Sequence, residues 1–425
     1  MHKIMSFHLK NGLQVVLTNI PDTETVITSM WIKQGSKNET SINNGLSHIT
    51  EHMVFNRNNK KNSELSGMFE KLQDCGVTYN ATTTKENTYY YFQGLKESLD
   101  ICLDVIKLII VNNRRFDEEL FENELKVVES EASSFYASFK QIKERTGQAL
   151  YGDYGIGKLI LGSMDNIRST TLADVESLIA QTYVPENSIL VVMGNIDYDN
   201  DAWKIEKKFN SWEDSGVVNV EEKIDNEPSV YYDDNYGGLN AAVSLGFRVP
   251  YANENESVCV ELLSLILSDP VISERIPFEI RQKRGLAYNA GGFVNQYKKM
   301  CTLGIACTSA CTNIEEIVQI ILDEIEKLCA VGVHKAELER AKMNLITKKN
   351  FELSDPLKHI LCLGTHITYG RVYYFEKEMR TIKKISMEHI NSMVKSIFCD
   401  QNMGLALIGK VNLENIVDGL FLERG

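Results

Sequence analysis

The chain has 425 residues, 43% hydrophobic and 24% charged, with a formal net charge of −13. That length allows two or three domains of roughly 150 residues with a substantial core. The acidic balance excludes nucleic acid as the main partner, because phosphate binding needs a basic surface.

No apolar run approaches the roughly 18 residues of a membrane span, so no membrane association is expected. The stretch Met1–His8 has neither an apolar signal core nor an Arg-rich presequence. Nine cysteines, an odd number without a C-x-x-C pair, read as thiols of a reducing compartment, and a cytoplasmic location is expected.

In chain order, residues 6–18 read as a hairpin, with Asn11-Gly12 at the turn between two apolar runs. Val26 to Lys33 is a β-rich run. Asn43-Asn44-Gly45 opens a helix, with an Asn as its N-cap.

That helix carries His48-Ile49-Thr50-Glu51-His52, an H-x-x-E-H pattern. Residues four apart on a helix share a face, so His48 and His52 can offer two imidazole nitrogens to one ion, with Glu51 beside them. Two histidines leave room on a zinc ion for a third protein ligand and a water. A neighbouring carboxylate can then take that water's proton. The pattern is the inverse of H-E-x-x-H. Taken alone it does not decide the matter, since paired histidines on a helix also occur as plain surface or core groups.

A second helix spans about Asn62 to Leu72, followed by two strands between Val77 and Phe92 that turn at Lys85-Glu86-Asn87. Ser98 to Val111 is an amphipathic helix, and Asp117 to about Phe139 a long charged one. Leu172 to Tyr183 is helical, and Ser188 to Asn195 is a buried strand.

The second half repeats this order. Ala241–Phe247 is a strand, Ile314–Cys329 an amphipathic helix, Lys335 to about Asn350 a charged helix, Ser386–Ile397 a helix, and the segment from Gly404 to Asn412 matches the segment from Ile189 to Asp197. A repeat of this length is a duplicated domain. The expected organisation is therefore an α+β domain over 1–215, a linker over 216–235 and a second α+β domain over 236–425. Each domain is a mostly antiparallel sheet packed with helices.

The charged helix from Asp117 supplies candidates for the third ligand. Glu124 and Glu131, seven apart, share one face, and Glu122 and Glu129 share another. Glu129 and Glu131 are about 200° apart around the helix, so only one of them can reach the ion. Both registers stay open on spacing alone. Aligning the second charged helix on the first puts Lys349 where Glu131 stands, and the second half has no H-x-x-E-H. One chain should hold one metal ion.

These residues together resemble the M16 (pitrilysin-type) zinc metallopeptidases, in the class of mitochondrial processing peptidase and its bacterial relatives. The resemblance runs through Gly45–Met53, Asn80-Ala81-Thr82-Thr83 with Thr88–Tyr91, Glu124–Glu131, Leu161-Gly162-Ser163, the strand closing on Gly194-Asn195, and Arg281–Tyr288. It differs from the usual pattern in the polar Thr50 after the first histidine, and in a couple of extra residues between His52 and Asn80.

The resemblance implies a LuxS/metallohydrolase-like fold and a zinc cofactor ligated by His48 and His52, with Glu51 as general base. The family's E-x-x-V-V-x-x-E stretch makes Glu131 the ligand and Glu124 the carboxylate behind it, with Glu129 and Glu122 as the rival register. It further implies that Arg281 and Tyr288 contact substrate, and that Asn80, Ala81 and Thr82 belong to an edge strand that pairs with an extended peptide. The implied activity is endopeptidase cleavage of short unfolded or leader-bearing precursor peptides in a closed chamber. A homodimer, or a heterodimer with a related subunit, would build that chamber. The alternative is a non-catalytic scaffold or partner subunit.

Overall fold

The computed structural model describes residues 4–213 and 226–422, apart from 252 and 372. Its strands are β1 (Ile4–His8), β2 (Gln14–Asn19), β3 (Thr25–Ile32), β4 (Thr78–Thr83), β5 (Thr88–Leu95), β6 (Ser188–Gly194), β7 (Val230–Asp233), β8 (Asn240–Pro250), β9 (Asn289–Gln296), β10 (Met300–Ala310) and β11 (Met403–Ile408). The helices used below are α1 (Leu46–Phe55), α2 (Glu118–Tyr136), α3 (Ile142–Tyr151), α4 (Glu254–Ser268), α5 (Lys335–Ser354) and α6 (Pro356–Thr368).

The strands form two sheets, ordered β1-β2-β6-β3-β5-β4 and β7-β11-β8-β10-β9. Without the extra β1, the two orders are the same once each strand is matched to its counterpart. Each sheet also keeps one parallel pair at the same place, β2 with β6 and β7 with β11, among antiparallel neighbours. The fold is α+β with two homologous halves. Segments for which periodicity gave no element include α4, β9, β10 and α6. The expected linker 216–235 lies outside the described residues up to 225, and its remainder contains β7, a paired strand of the second sheet.

The compact units do not follow the 1–215 and 236–425 division. One is drawn from the described residues of Met1–Ser133, Tyr154–Lys223 and Glu352–Tyr373, and the other from those of Ser134–Asp153, Ile224–Phe351 and Tyr374–Gly425. Each half thus gives one helix to the other's sheet. In the first unit α6 lays Ile360, Leu363 and Ile367 on Val16, Ile27, Trp31, Ile189, Val191 and Met193. In the second, Ile142 of α3 packs on Ala242, Ala406 and Ile408. Periodicity along the chain cannot show such an exchange, because an amphipathic helix reads the same whichever sheet it covers.

Both sheets are clad on the face opposite the exchanged helix as well, so their central strands are buried on both sides. That is why Ile189–Met193 and Leu405–Ile408 are unbroken apolar runs. In the first unit β4 is the terminal strand and pairs only with β5 among the described strands, leaving its other edge unpaired within the sheet.

Candidate metal centre

The motif helix is set at its start by groups outside the motif. Gly45 is its N-cap and adopts φ 102°, and a Cβ there would lie 2.6 Å from the Leu161 carbonyl oxygen. Only glycine fits that conformation and that approach. The expected Asn N-cap is corrected: the residue at that place has no side chain to cap with.

The carboxylate of Glu39 does the work instead. It accepts from Gly45 N–H at 2.7 Å, Ser47 N–H at 2.6 Å and the Asn44 amide at 2.8 Å. A negative group at a helix N-terminus satisfies orphan amides and suits the helix dipole. Glu39 is 3% exposed, and burial raises its pKa to about 6 against those hydrogen bonds. Sequence reasoning missed Glu39. It lies six residues ahead of the cap it serves, beyond the usual capping box.

From α1, His48 and His52 project with ring centroids 4.7 Å apart. Glu131 on α2 meets them, its Oε2 lying 3.8 Å from His48 Nε2 and 3.4 Å from His52 Nε2. Among the described residues these three form the one group of three such side chains whose ligand atoms all lie within 4.8 Å. Tetrahedral zinc with bonds of about 2.0–2.1 Å separates its ligand atoms by about 3.4 Å. Both the spacing and the donor set, two imidazoles and one carboxylate, fit that ion.

Glu129 goes elsewhere. Its Oε1 is 3.2 Å from Arg168 Nε, on the face opposite to that of Glu131. Glu122 is exposed.

Glu124 sits behind His52. Its Oε2 is 3.2 Å from His52 Nδ1, and its Oε1 accepts from the Asn56 amide at 2.6 Å. Asn56 is a second residue that sequence reasoning missed, since one Asn after a helix carries no signal of its own. Glu51 accepts a 2.6 Å hydrogen bond from Thr83 Oγ1. Thr83 is the last residue of the edge strand β4, so the carboxylate beside the histidines is tied to the strand that carries Asn80, Ala81 and Thr82. Of these, Asn80 is exposed, Ala81 buried and Thr82 half-buried.

In the metal-free polypeptide the charges here are at odds. Burial, helped by the neighbouring His52, pushes His48 down to about 4, with Glu131 opposing. Burial also works against a charged His52, but Glu124 and Glu131 outweigh it and raise His52 to about 9. Burial raises Glu51, with the Thr83 hydroxyl and His52 opposing. The His52 contact lowers Glu131. His48 Nδ1 is buried without a hydrogen-bond partner among the described residues.

In the second unit, Arg281 lies on a π-helical turn over Phe278–Lys283, and its guanidinium stacks on the Tyr288 ring at 4.6 Å. Tyr288 is 76% exposed, which excludes the plain reading of it as a core tyrosine. Lys349, the counterpart of Glu131, pairs with Glu261 of α4 at 3.2 Å and with Glu378 at 3.1 Å.

A duplicated α+β shell with an H-x-x-E-H helix facing a glutamate describes a class, that of the inverted-motif metallopeptidases. Comparison with known proteins agrees. Residues 14–162 match the model of the insulinase family, peptidase family M16, and residues 169–345 that of the M16 inactive domain. The chain belongs to peptidase family M16.

It is 26% identical over 417 residues to the uncharacterized zinc protease YmxG of Bacillus subtilis, covering 95% of this chain and 98% of that one. An uncharacterized zinc protease of Rickettsia felis is 30% identical over 347 residues, 79% of this chain and 81% of that protein. The mitochondrial-processing peptidase subunit beta of Neurospora crassa is 23% identical over 435 residues, covering 99% and 89%. Among solved structures, a protease from Helicobacter pylori superposes with a TM-score of 0.86 at 20% identity, covering 96% of this chain and all of that one. No helix among the described residues is long and apolar enough to cross a membrane.

Proposed function

We propose that this chain is a zinc-dependent endopeptidase that cuts short unfolded peptides or leader-bearing precursors. His48, His52 and Glu131 would hold the ion, and the meeting of those three side chains beside Glu51 is the observation that carries the reading. Bound zinc supplies Lewis acidity toward a carbonyl oxygen and lowers the pKa of water.

Glu51 takes the proton of the attacking water and returns it to the departing amine. Its carboxylate can do so because Thr83 fixes one oxygen, while burial brings its affinity for a proton above that of an ordinary carboxylate. Glu124 holds the His52 ring through Nδ1. An extended peptide adding to the outer edge of β4 along Asn80–Thr82 would be bound through its main chain, with little demand on its sequence. Arg281 would grip a peptide carbonyl or carboxylate, and the Tyr288 hydroxyl would donate to the oxyanion. A second subunit, identical or related, would complete a closed chamber, and the cytoplasm would be its place of work.

The alternative is a non-catalytic partner subunit. The intact H-x-x-E-H and its glutamate speak for the enzyme. Glu51→Gln tests the choice. It should keep its zinc and lose peptide cleavage, followed by mass spectrometry, by about 10²–10⁴-fold, the usual worth of a general base. Undiminished cleavage by that variant would sink the enzyme reading.

A further inference from the structure

Asn56 is the C-cap residue of α1, with φ −77° and ψ 121°. Its side chain is held at both ends. The Asn58 backbone N–H donates to its Oδ1 at 2.8 Å, which fixes which way the amide faces. Its Nδ2 then donates to Glu124 Oε1 at 2.6 Å. The other oxygen of Glu124 is 3.2 Å from His52 Nδ1, and His52 Nε2 faces Glu131 at 3.4 Å. Three groups, Asn56, Glu124 and His52, therefore stand in line from the end of the motif helix to the metal-facing nitrogen.

Each link constrains the next. A carboxylate can only accept, so with an ion at Nε2 Glu124 would keep the remaining His52 proton on Nδ1. In the rotamer that reaches His52, Glu124 also accepts from the Asn56 amide at its other oxygen, which holds the carboxylate there. The Glu124 side chain is 16% exposed, so an oxygen deprived of its donor would not be freely solvated again.

We propose that Asn56 is a positioning residue of the metal centre: by donating to Glu124 it fixes the orientation and tautomer of His52. The proposal rests on the reading of His48, His52 and Glu131 as zinc ligands. Groups that orient a ligand commonly carry about 10–100-fold in metal affinity.

The plain alternative is that Asn56 only shapes the turn after the helix. Two substitutions separate the roles. Asn56→Asp keeps the size and the acceptor for Asn58 N–H, and so keeps the turn, but turns the donor toward Glu124 into an acceptor. Asn56→Lys gives up the turn acceptor and restores a donor. The dissociation constant for zinc is measured on the full chain by competition with a chelator. The visible absorption of the cobalt-substituted protein and the melting temperature of the metal-free protein are recorded beside it.

N56D should bind zinc about 10–100-fold more weakly than the parent, with a shifted cobalt spectrum, and the carboxylate set against Glu124 should lower the metal-free melting temperature as well. N56K should stay within about threefold of the parent, well inside that range. N56D binding zinc as tightly as the parent overturns the proposal. So does N56K binding as weakly as N56D, since the turn and not the donor would then matter. A parent chain that takes up no stoichiometric zinc would overturn the ligand assignment itself. A parent with one zinc and an unmoved N56D removes only the role of Asn56.

Discussion

The two halves solve one packing problem in opposite ways. In each, the helix that follows β3 or its counterpart β8 faces a long charged helix: α1 faces α2 in the first half, and α4 faces α5 in the second. Beside α4 and α5 the polypeptide supplies its own cation, with Lys349 of α5 between Glu261 of α4 and Glu378. Between α1 and α2 it does not. There one histidine is driven down to about 4 and its neighbour up to about 9, around a glutamate that can satisfy only one of them. A junction whose groups cannot settle among themselves is stabilised by something from outside, and a divalent cation suits two imidazoles and a carboxylate.

The largest effect expected from this contrast is the response to metal removal. A chelator should lower the stability of the first unit by about RT ln(1 + [L]/Kd), or about 4 kcal/mol where free zinc stood a thousandfold above Kd. It should leave the second unit unmoved. Hydrogen exchange of amides in α1 against those in α4 reads the two separately, and equal loss of protection in both would break the comparison. Glu131→Gln should act in the same direction, abolishing stoichiometric zinc.

The converse substitution belongs to the second half. Lys349→Met would leave Glu261 and Glu378 facing each other without their cation. All three side chains are less than a fifth exposed. Breaking a buried pair from one side costs about 3–5 kcal/mol, with the lower end expected here because of the residual exposure. Denaturant unfolding should report that loss, while the zinc content should stay at the parent's value. A fall in zinc content would mean that the halves are not independent in the way their charge balances suggest.

A smaller effect tests the exchanged helices. Gly364 of α6 lies against Trp31, and a Cβ there would come within 2.2 Å of the indole ring. Trp31 is fully buried, and its Nε1 donates to Ser29 Oγ at 2.9 Å, so the ring cannot swing aside without losing that bond. Gly364→Ala should therefore destabilise by about 1–3 kcal/mol through overpacking, against the gain that Ala normally brings to a helix. A neutral or stabilising result would show that α6 sits more loosely on the first sheet than its buried contacts indicate.

What the chain disclosed beforehand follows from how local each signal is. His48, Glu51 and His52 lie within five residues, and their shared face is a property of one helix. The duplication showed in matching strands that end on Gly194 and Gly409, because both central strands must be apolar throughout. Glu131 needed more. Its partners lie some 80 residues away, and periodicity could only say that Glu129 and Glu131 point apart. Glu39 and Asn56 were silent, since each acts through a hydrogen bond across a turn or between helices. The exchange of α3 and α6 left no trace for the same reason: which sheet an amphipathic helix covers is decided by tertiary packing alone.

The smallest expected effect sharpens the ligand choice. Glu129 and Glu131 differ by two positions on one helix, and the carboxylate of Glu129 is engaged with Arg168 at 3.2 Å, with the two side chains 32% and 61% exposed. Exposed pairs of this kind contribute about 0–1 kcal/mol. Glu129→Gln should therefore change stability by less than about 1 kcal/mol and keep one zinc per chain, where Glu131→Gln loses it. Zinc content measured on the two variants side by side decides between the registers. If Glu129→Gln empties the site and Glu131→Gln does not, helix α2 must turn by about 200° in solution from the orientation seen here, taking Glu124 away from His52 as it goes.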